Sequence, residues 1–212
     1  MPLDLMHVAD CSGIAHMMAG NVIRGLVSSE ARLGPTMDAR MEAINTELQA
    51  FYDKRPGYNR VPKIKTANLV KDGWACLHGR GVKAANCRSL SPFLVELSER
   101  YCDDPESEEH RMVQRATRAW DRFYVILYTA PMFLTASALG ELRRVVLRFG
   151  AAVQSLRAIA CEKHVLAWNL TYKVHAHQHM PAQAAILNPR FCQCYQEEGQ
   201  VGSTTLVWHR TA

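Results

Sequence analysis

The chain has no apolar run long enough to cross a membrane. Its longest, Phe123 to Leu134, covers about a dozen residues and contains Pro131, whereas a membrane-spanning helix needs about 20. The opening residues, MPLDLMHVAD, carry no basic stretch leading into an apolar one, which predicts no secretory signal. No CxxC pair occurs among the seven cysteines, at 11, 76, 87, 102, 161, 192 and 194. An odd, scattered set in a core-rich chain predicts reduced thiols and an intracellular setting, nuclear or cytoplasmic. Strand signals are weak, with no strand–helix alternation and no internal repeat, which argues against parallel α/β folds and solenoids. Charge is only mildly unbalanced, at +5 over 212 residues with a pI near 8.9. That permits nucleic acid as a partner without requiring it, because an ordinary Arg-rich surface gives the same number.

What is present is helical periodicity. Ile14, Met17, Met18, Val22, Leu26 and Val27 predict a helix from Ser12 to Leu33, capped by Ser12 or Asp10 and ended by Gly34-Pro35. Thr36 caps a second, carrying Met41, Ile44, Leu48 and Phe51 up to the Arg55-Pro56-Gly57 break. Residues 56–87 are irregular. Ser91-Pro92 opens a third helix through Phe93, Leu94, Leu97 and Tyr101. The acidic stretch from Asp103 to Glu109 suits the positive end of a fourth, which runs to about Tyr128 with Trp120, Phe123, Tyr124 and Leu127 buried. Thr135 or Ser137 begins a fifth, to about Lys163, and a sixth covers roughly Leu170 to Ile186. The tail from Tyr195 is read as a seventh. The whole chain, 1–212, thus reads as one mostly α-helical bundle.

Three clusters could carry chemistry. In Asp4-Leu5-Met6-His7-Val8-Ala9-Asp10, two carboxylates and an imidazole precede a helix. Hard divalent cations take oxygen ligands of this kind. The plain structural account is that Asp10 caps the helix and Asp4 is solvated. In Lys173-Val174-His175-Ala176-His177-Gln178-His179, His175 and His179 share a helical face while His177 points elsewhere. A pair at that spacing can hold zinc, but two further ligands are needed, and the C-x-C spacing of Cys192 and Cys194 argues against it. The structural account is that one His packs on a neighbouring helix and the others are exposed. The third cluster is Asn188-Pro189-Arg190, then Tyr195-Gln196-Glu197-Glu198-Gly199 and Gly202. Asn-Pro marks a turn, and paired Glu residues suit a helix start. Separately, Lys63, Lys65, Lys71, Arg80, Lys83 and Arg88 form a basic stripe where phosphates could dock. An exposed loop with ordinary Lys and Arg accounts for it equally. Only Tyr58 and Trp74 are available there to stack on bases.

Asp4-x-x-His7-x-x-Asp10, followed by Gly20-Asn21-Val22-Ile23, resembles a segment of the large DDE transposases of the hAT, CACTA and Kyakuja–Dileera–Zisupton groups. There an Asp or Cys, two residues and a His follow the second catalytic Asp. The closing residues Lys173, His175, His179, Gln183, Asn188-Pro189-Arg190, Tyr195, Glu197, Glu198 and Gly202 are similar to a pattern in transposase-derived proteins of protists. The middle is matched only by its helical character. The resemblance implies an RNase H-like core interrupted by an all-α insertion, here 12–170, with 171–212 as the end of the core. It implies Glu198 as the last catalytic carboxylate, with Glu197 as the fallback, and Asp4 and His7 as the Asp-x-x-His motif with Asp10 beside it. The chemistry implied is two-metal phosphoryl transfer with Mg²⁺ or Mn²⁺ on DNA.

The resemblance places the strands carrying the first catalytic Asp, and the second, before Met1, and extends the core beyond Ala212. The expectation is therefore a truncated or domesticated copy, inactive on its own. It requires Asp4, His7 and Glu198 to meet in space. The alternatives are a helical protein- or nucleic-acid-interaction module without chemistry, and a small zinc-binding protein built on His175 and His179.

Overall fold

A computed structural model describes residues 3–192 and is mostly α-helical, with one minimal sheet. Seven helices follow in order: α1 (Ile14–Ser29), α2 (Met37–Asp53), α3 (Ala84–Arg88), α4 (Ser91–Tyr101), α5 (Glu108–Thr129), α6 (Ala136–Glu162) and α7 (Tyr172–Ala184). Their starts follow from side-chain caps. Thr36 accepts from the Ala39 amide, Ser107 from His110 and Thr135 from Ala138, each at 3.2 Å. Glu108 and Glu109 occupy the first turn of α5, at the positive end of its dipole.

The start of α1 differs from expectation. Gly13 is its N-cap and no side chain caps it. Ser12 has left-handed φ, +47°, and Asp10 is turned into the interior, fully buried. Ahead of it, Met6–Asp10 form a wide π-type turn closed by the Cys11 amide on the Met6 carbonyl at 2.7 Å. The helical run also stops at Ser29 and resumes as a 3-10 turn, Ala31–Leu33.

The irregular stretch contains a two-residue antiparallel hairpin, β1 (Val70–Lys71) and β2 (Trp74–Ala75), paired Val70 to Ala75 and Lys71 to Trp74. Asp72-Gly73 turns it with positive φ at both positions, +53° and +83°, the geometry that matches strand twist. The segment lies directly on α1. A Cβ on Gly20 would stand 2.3 Å from Cys76 Cα and 2.4 Å from the Leu77 nitrogen, so only glycine permits that approach. Asn21 beside it is buried and joins three segments. Its amide nitrogen donates to the Met17 and Ala75 carbonyls, and its oxygen accepts from the Trp168 amide at 2.8 Å.

α5 and α6 form an antiparallel hairpin. Glu109, in the first turn of α5, pairs with Lys163 at the end of α6, and Arg122 pairs with Glu141 nearer the connection. Their buried faces meet in an aromatic cluster of Trp120, Phe123 and Phe149, each side chain worth about 2–3 kcal/mol in removed apolar surface. α7 closes over this cluster with His177, 1% exposed and 4.6 Å from Phe123 ring to ring. Burial lowers its pKa to about 3, so it is neutral at physiological pH. His175 and His179 stay exposed, their Nε2 atoms 3.1 Å apart. This is the arrangement in which one histidine packs and two are solvated. Among the described residues no helix is long and apolar enough to cross a membrane.

Candidate functional site

The two ends of the described chain meet along one seam. The Gln183 amide on α7 pairs with the backbone of Leu3 in both directions: its oxygen accepts from the Leu3 nitrogen at 2.7 Å, and its nitrogen donates to the Leu3 oxygen at 3.0 Å. Lys173, in the first turn of the same helix, donates to the Cys11 carbonyl at 2.7 Å. α7 thus holds both edges of the N-terminal turn, across 162 to 180 residues of chain. Half-burial of Lys173 lowers its pKa, but the ammonium keeps its carbonyl acceptors.

Along the seam, Asp4 caps the N-terminal turn. One of its oxygens accepts from the Met6 amide at 2.9 Å, and the other lies 2.6 Å from His7 Nδ1. Asp4 is therefore an engaged capping residue, partly buried, beside an exposed His7. Asp10 lies deeper. The Tyr124 hydroxyl donates to it, and the Arg88 guanidinium is 3.9 Å away. Arg88 in turn donates to the Tyr128 hydroxyl. The negative charge of Asp10 also reaches Cys87, whose thiol pKa is pushed up chiefly by burial and further by that charge.

The Asn188-Pro189-Arg190 motif has a defined local task. Asn188 is fully buried, and its amide donates to the Leu127 carbonyl at 2.9 Å and the Pro131 carbonyl at 3.2 Å. Arg190 donates to the Tyr128 carbonyl. Together they satisfy the carbonyls left open at the C-terminal end of α5, where a cation also suits the dipole. The next turn, Pro189–Cys192, follows from Asn188 as the sequence reads it.

No protein-family model, curated protein or solved structure matches the chain.

Two of the site residues read from the sequence, Glu197 and Glu198, lie outside the described residues. Among the described residues no three His, Cys, Asp or Glu side chains converge so as to hold a metal ion. Asp4 accepts from a backbone amide and lies against an imidazole, and Asp10 accepts from a phenol in a buried position. His175 and His179 share a face, and among the described residues no third ligand joins them.

The basic stripe is divided. Lys63, Lys65, Lys71, Arg80 and Lys83 are exposed, with Lys63 paired to Glu42 at 2.7 Å. Arg88 leaves the stripe and turns inward to Tyr128 and Asp10. Trp74 is covered by the Arg157 guanidinium at 4.6 Å, which removes one of the two aromatic faces available for stacking.

Sequence reasoning missed two features. Tyr124 reads as a member of an apolar stripe, yet its hydroxyl serves Asp10. The signal is chemical, since a buried tyrosine needs a partner for its O–H. The second is His16, 6% exposed, with Nδ1 2.8 Å from the Leu77 carbonyl. It borders a cleft of about 510 Å³ also lined by Lys71, Cys76, His78 and Thr171. Burial lowers the His16 pKa and raises that of Cys76, so the cleft presents a neutral imidazole and a protonated thiol, not a thiolate nucleophile.

Proposed function

We propose that this chain is a catalytically incomplete, transposase-derived protein that keeps an all-helical insertion and the ends of a DDE-type core. The observation that carries the reading is the seam. The segment bearing Asp4, His7 and Asp10 and the helix bearing Lys173 and Gln183 are the two parts that resemble the transposase pattern. They are docked on each other by the Leu3–Gln183 pair and the Lys173–Cys11 contact, with a helical insertion between them. The ancestral activity is metal-dependent DNA strand cleavage and transfer. The engagement of Asp4 and the burial of Asp10 under Tyr124 support its loss. The same burial favours the second reading, a helical nucleic-acid- or protein-interaction module without chemistry.

The test is Mn²⁺ titration by calorimetry, paired with a DNA-nicking assay in Mn²⁺ or Mg²⁺, on the wild type and on Glu198→Ala. The expected result is no nicking above the metal-only blank and no Mn²⁺ affinity that depends on Glu198. Nicking that disappears in Glu198→Ala would overturn catalytic incompleteness and restore a working carboxylate site.

A further inference from the structure

The outer face of the α5–α6 hairpin carries a groove of about 770 Å³, and its walls are arginine. Arg115, Arg118 and Arg122 line it from α5, and Arg144 and Arg148 from α6, against the single acid Glu141. All five arginines are exposed. Their spacing is not incidental: positions three and four apart fall on one helical face, and Arg115 to Arg122 covers about 10 Å of axis. Because the helices are antiparallel, the α6 pair lies alongside that row.

Two of the five are engaged by carboxylates, Arg122 by Glu141 at 2.6 Å and Arg118 by Glu99 at 2.9 Å. Among the described residues no carboxylate pairs with Arg115, Arg144 or Arg148. Three guanidinium groups therefore face a shared concavity with no carboxylate bonded to them, and the one acid of the lining, Glu141, is held by Arg122 and acts on Arg144 only through its field. Such an arrangement repels itself unless an anion occupies it.

The floor decides what kind of anion. Met112, Ala119, Val145 and Ala152 lie beneath, and each is at most 8% exposed. Ala151 is the one exposed apolar side chain of the lining, so an acidic amphipathic peptide would find no large exposed apolar side chain to anchor on. The lining contains no aromatic side chain, so there is no platform for the stacked bases of a single strand. What the groove offers is a double row of planar, always-charged forks, the geometry that recognises phosphates. The regularly repeated phosphates of a DNA strand suit such a row.

The geometry points to the α5–α6 groove as a docking site for the sugar-phosphate backbone of duplex DNA, bound without sequence readout through Arg115, Arg144 and Arg148, with Arg118 and Arg122 flanking. This stands on the groove alone and does not depend on the transposase-derived reading of the seam. It also assigns the DNA-facing surface to α5 and α6 and not to the lysine stripe of residues 63–83.

The experiment is fluorescence anisotropy with a labelled DNA duplex of about 20 base pairs, titrated with the full chain across a salt series. The variants are Arg115→Gln/Arg144→Gln/Arg148→Gln and, as a control, Lys63→Gln/Lys65→Gln/Lys71→Gln. Circular dichroism and Tm confirm that each variant is folded. The expected outcome is wild-type binding that weakens steeply with salt. The arginine variant should lose about 30-fold or more in affinity near 0.1 M salt, with a log–log slope shallower by about 2–3, since each phosphate contact contributes ~0.9. The lysine variant should lose less than about 3-fold. Absence of duplex binding by the wild type at low salt overturns the proposal. So does equal binding by the arginine variant, or loss confined to the lysine variant. Tighter binding of polyglutamate, of single-stranded DNA or of duplex RNA than of duplex DNA overturns the choice of occupant. Nicking activity plays no part in this readout, so the two proposals fail separately.

Discussion

The α5–α6 hairpin and the N-terminal seam are built on opposite principles. The hairpin joins neighbours in sequence, keeps its arginines outside and fills its interior with Trp120, Phe123 and Phe149. The seam, taken together with the face of α1 against residues 75–77 and the Asn188 turn against the end of α5, joins distant segments and buries polar groups: Asp10, Asn21 and Asn188. A surface made by local pairing tolerates exchange of its outward side chains. A seam held by single contacts between distant segments does not, because each contact has no neighbour to replace it. Substitutions in the two regions should therefore differ in kind, and the seam should respond more strongly.

The largest effect is expected at Gly20, where α1 touches the Cys76–Leu77 backbone. The neighbours of an added methyl group are main-chain atoms at 2.3 to 2.4 Å, which cannot rotate aside as a side chain can. Gly20→Ala should destabilise the protein by about 3 kcal/mol in urea or thermal unfolding, despite the higher helix propensity of alanine. A loss below about 0.5 kcal/mol would show that the approach is soft and that the seam resembles the hairpin after all.

A smaller loss is expected at the buried carboxylate. Tyr124→Phe keeps the ring packing on Trp120 and removes only the hydroxyl that donates to Asp10. The loss of a donor to a fully buried acid should cost about 2 kcal/mol. Tyr128→Phe, which removes an acceptor from the less buried Arg88, should cost less. Reversal of that order would mean that Arg88, not Tyr124, carries the compensation of Asp10.

Legibility in the sequence follows the same division. The caps Thr36, Ser107 and Thr135, the breaks at Gly34-Pro35 and Arg55-Pro56-Gly57, and the periodicity of α2 and α4–α6 are encoded within a few residues, so the helical bundle could be read directly. Asp10 could not be placed. Whether an acid before a helix caps it or enters the core depends on Tyr124, 114 residues away, and no local pattern reports that. Gly20-Asn21 could be noticed as a motif, but its task is a close approach to Cys76 and a bridge to Trp168, which only the fold defines. The arginine groove was hidden differently. Its residues read as ordinary solvated helix faces until two separate helices bring them side by side.

His177 is where the two regions join, since the seam helix α7 contributes it to the aromatic core of the hairpin. It is the most informative place to ask whether burial of a polar group is tolerated or costly. Among the described residues neither ring nitrogen has a hydrogen-bond partner, and burial holds the pKa near 3, against 6.5 for the unhindered side chain. The folded state therefore binds fewer protons than the unfolded state between those two values. The stability associated with neutral His177 is fully present above pH 6.5 and is lost as pH falls towards 3, at up to about 1.4 kcal/mol per pH unit. His177→Leu, of similar volume and without polar atoms, should gain about 1 kcal/mol at pH 7 and flatten the acid limb of the stability profile. Urea titrations of both proteins between pH 7 and pH 4 check this. Parallel profiles would show that carboxylates, not this imidazole, set the acid sensitivity. A destabilised His177→Leu with a flattened profile would instead show that the ring's shape matters more than its unmet polarity.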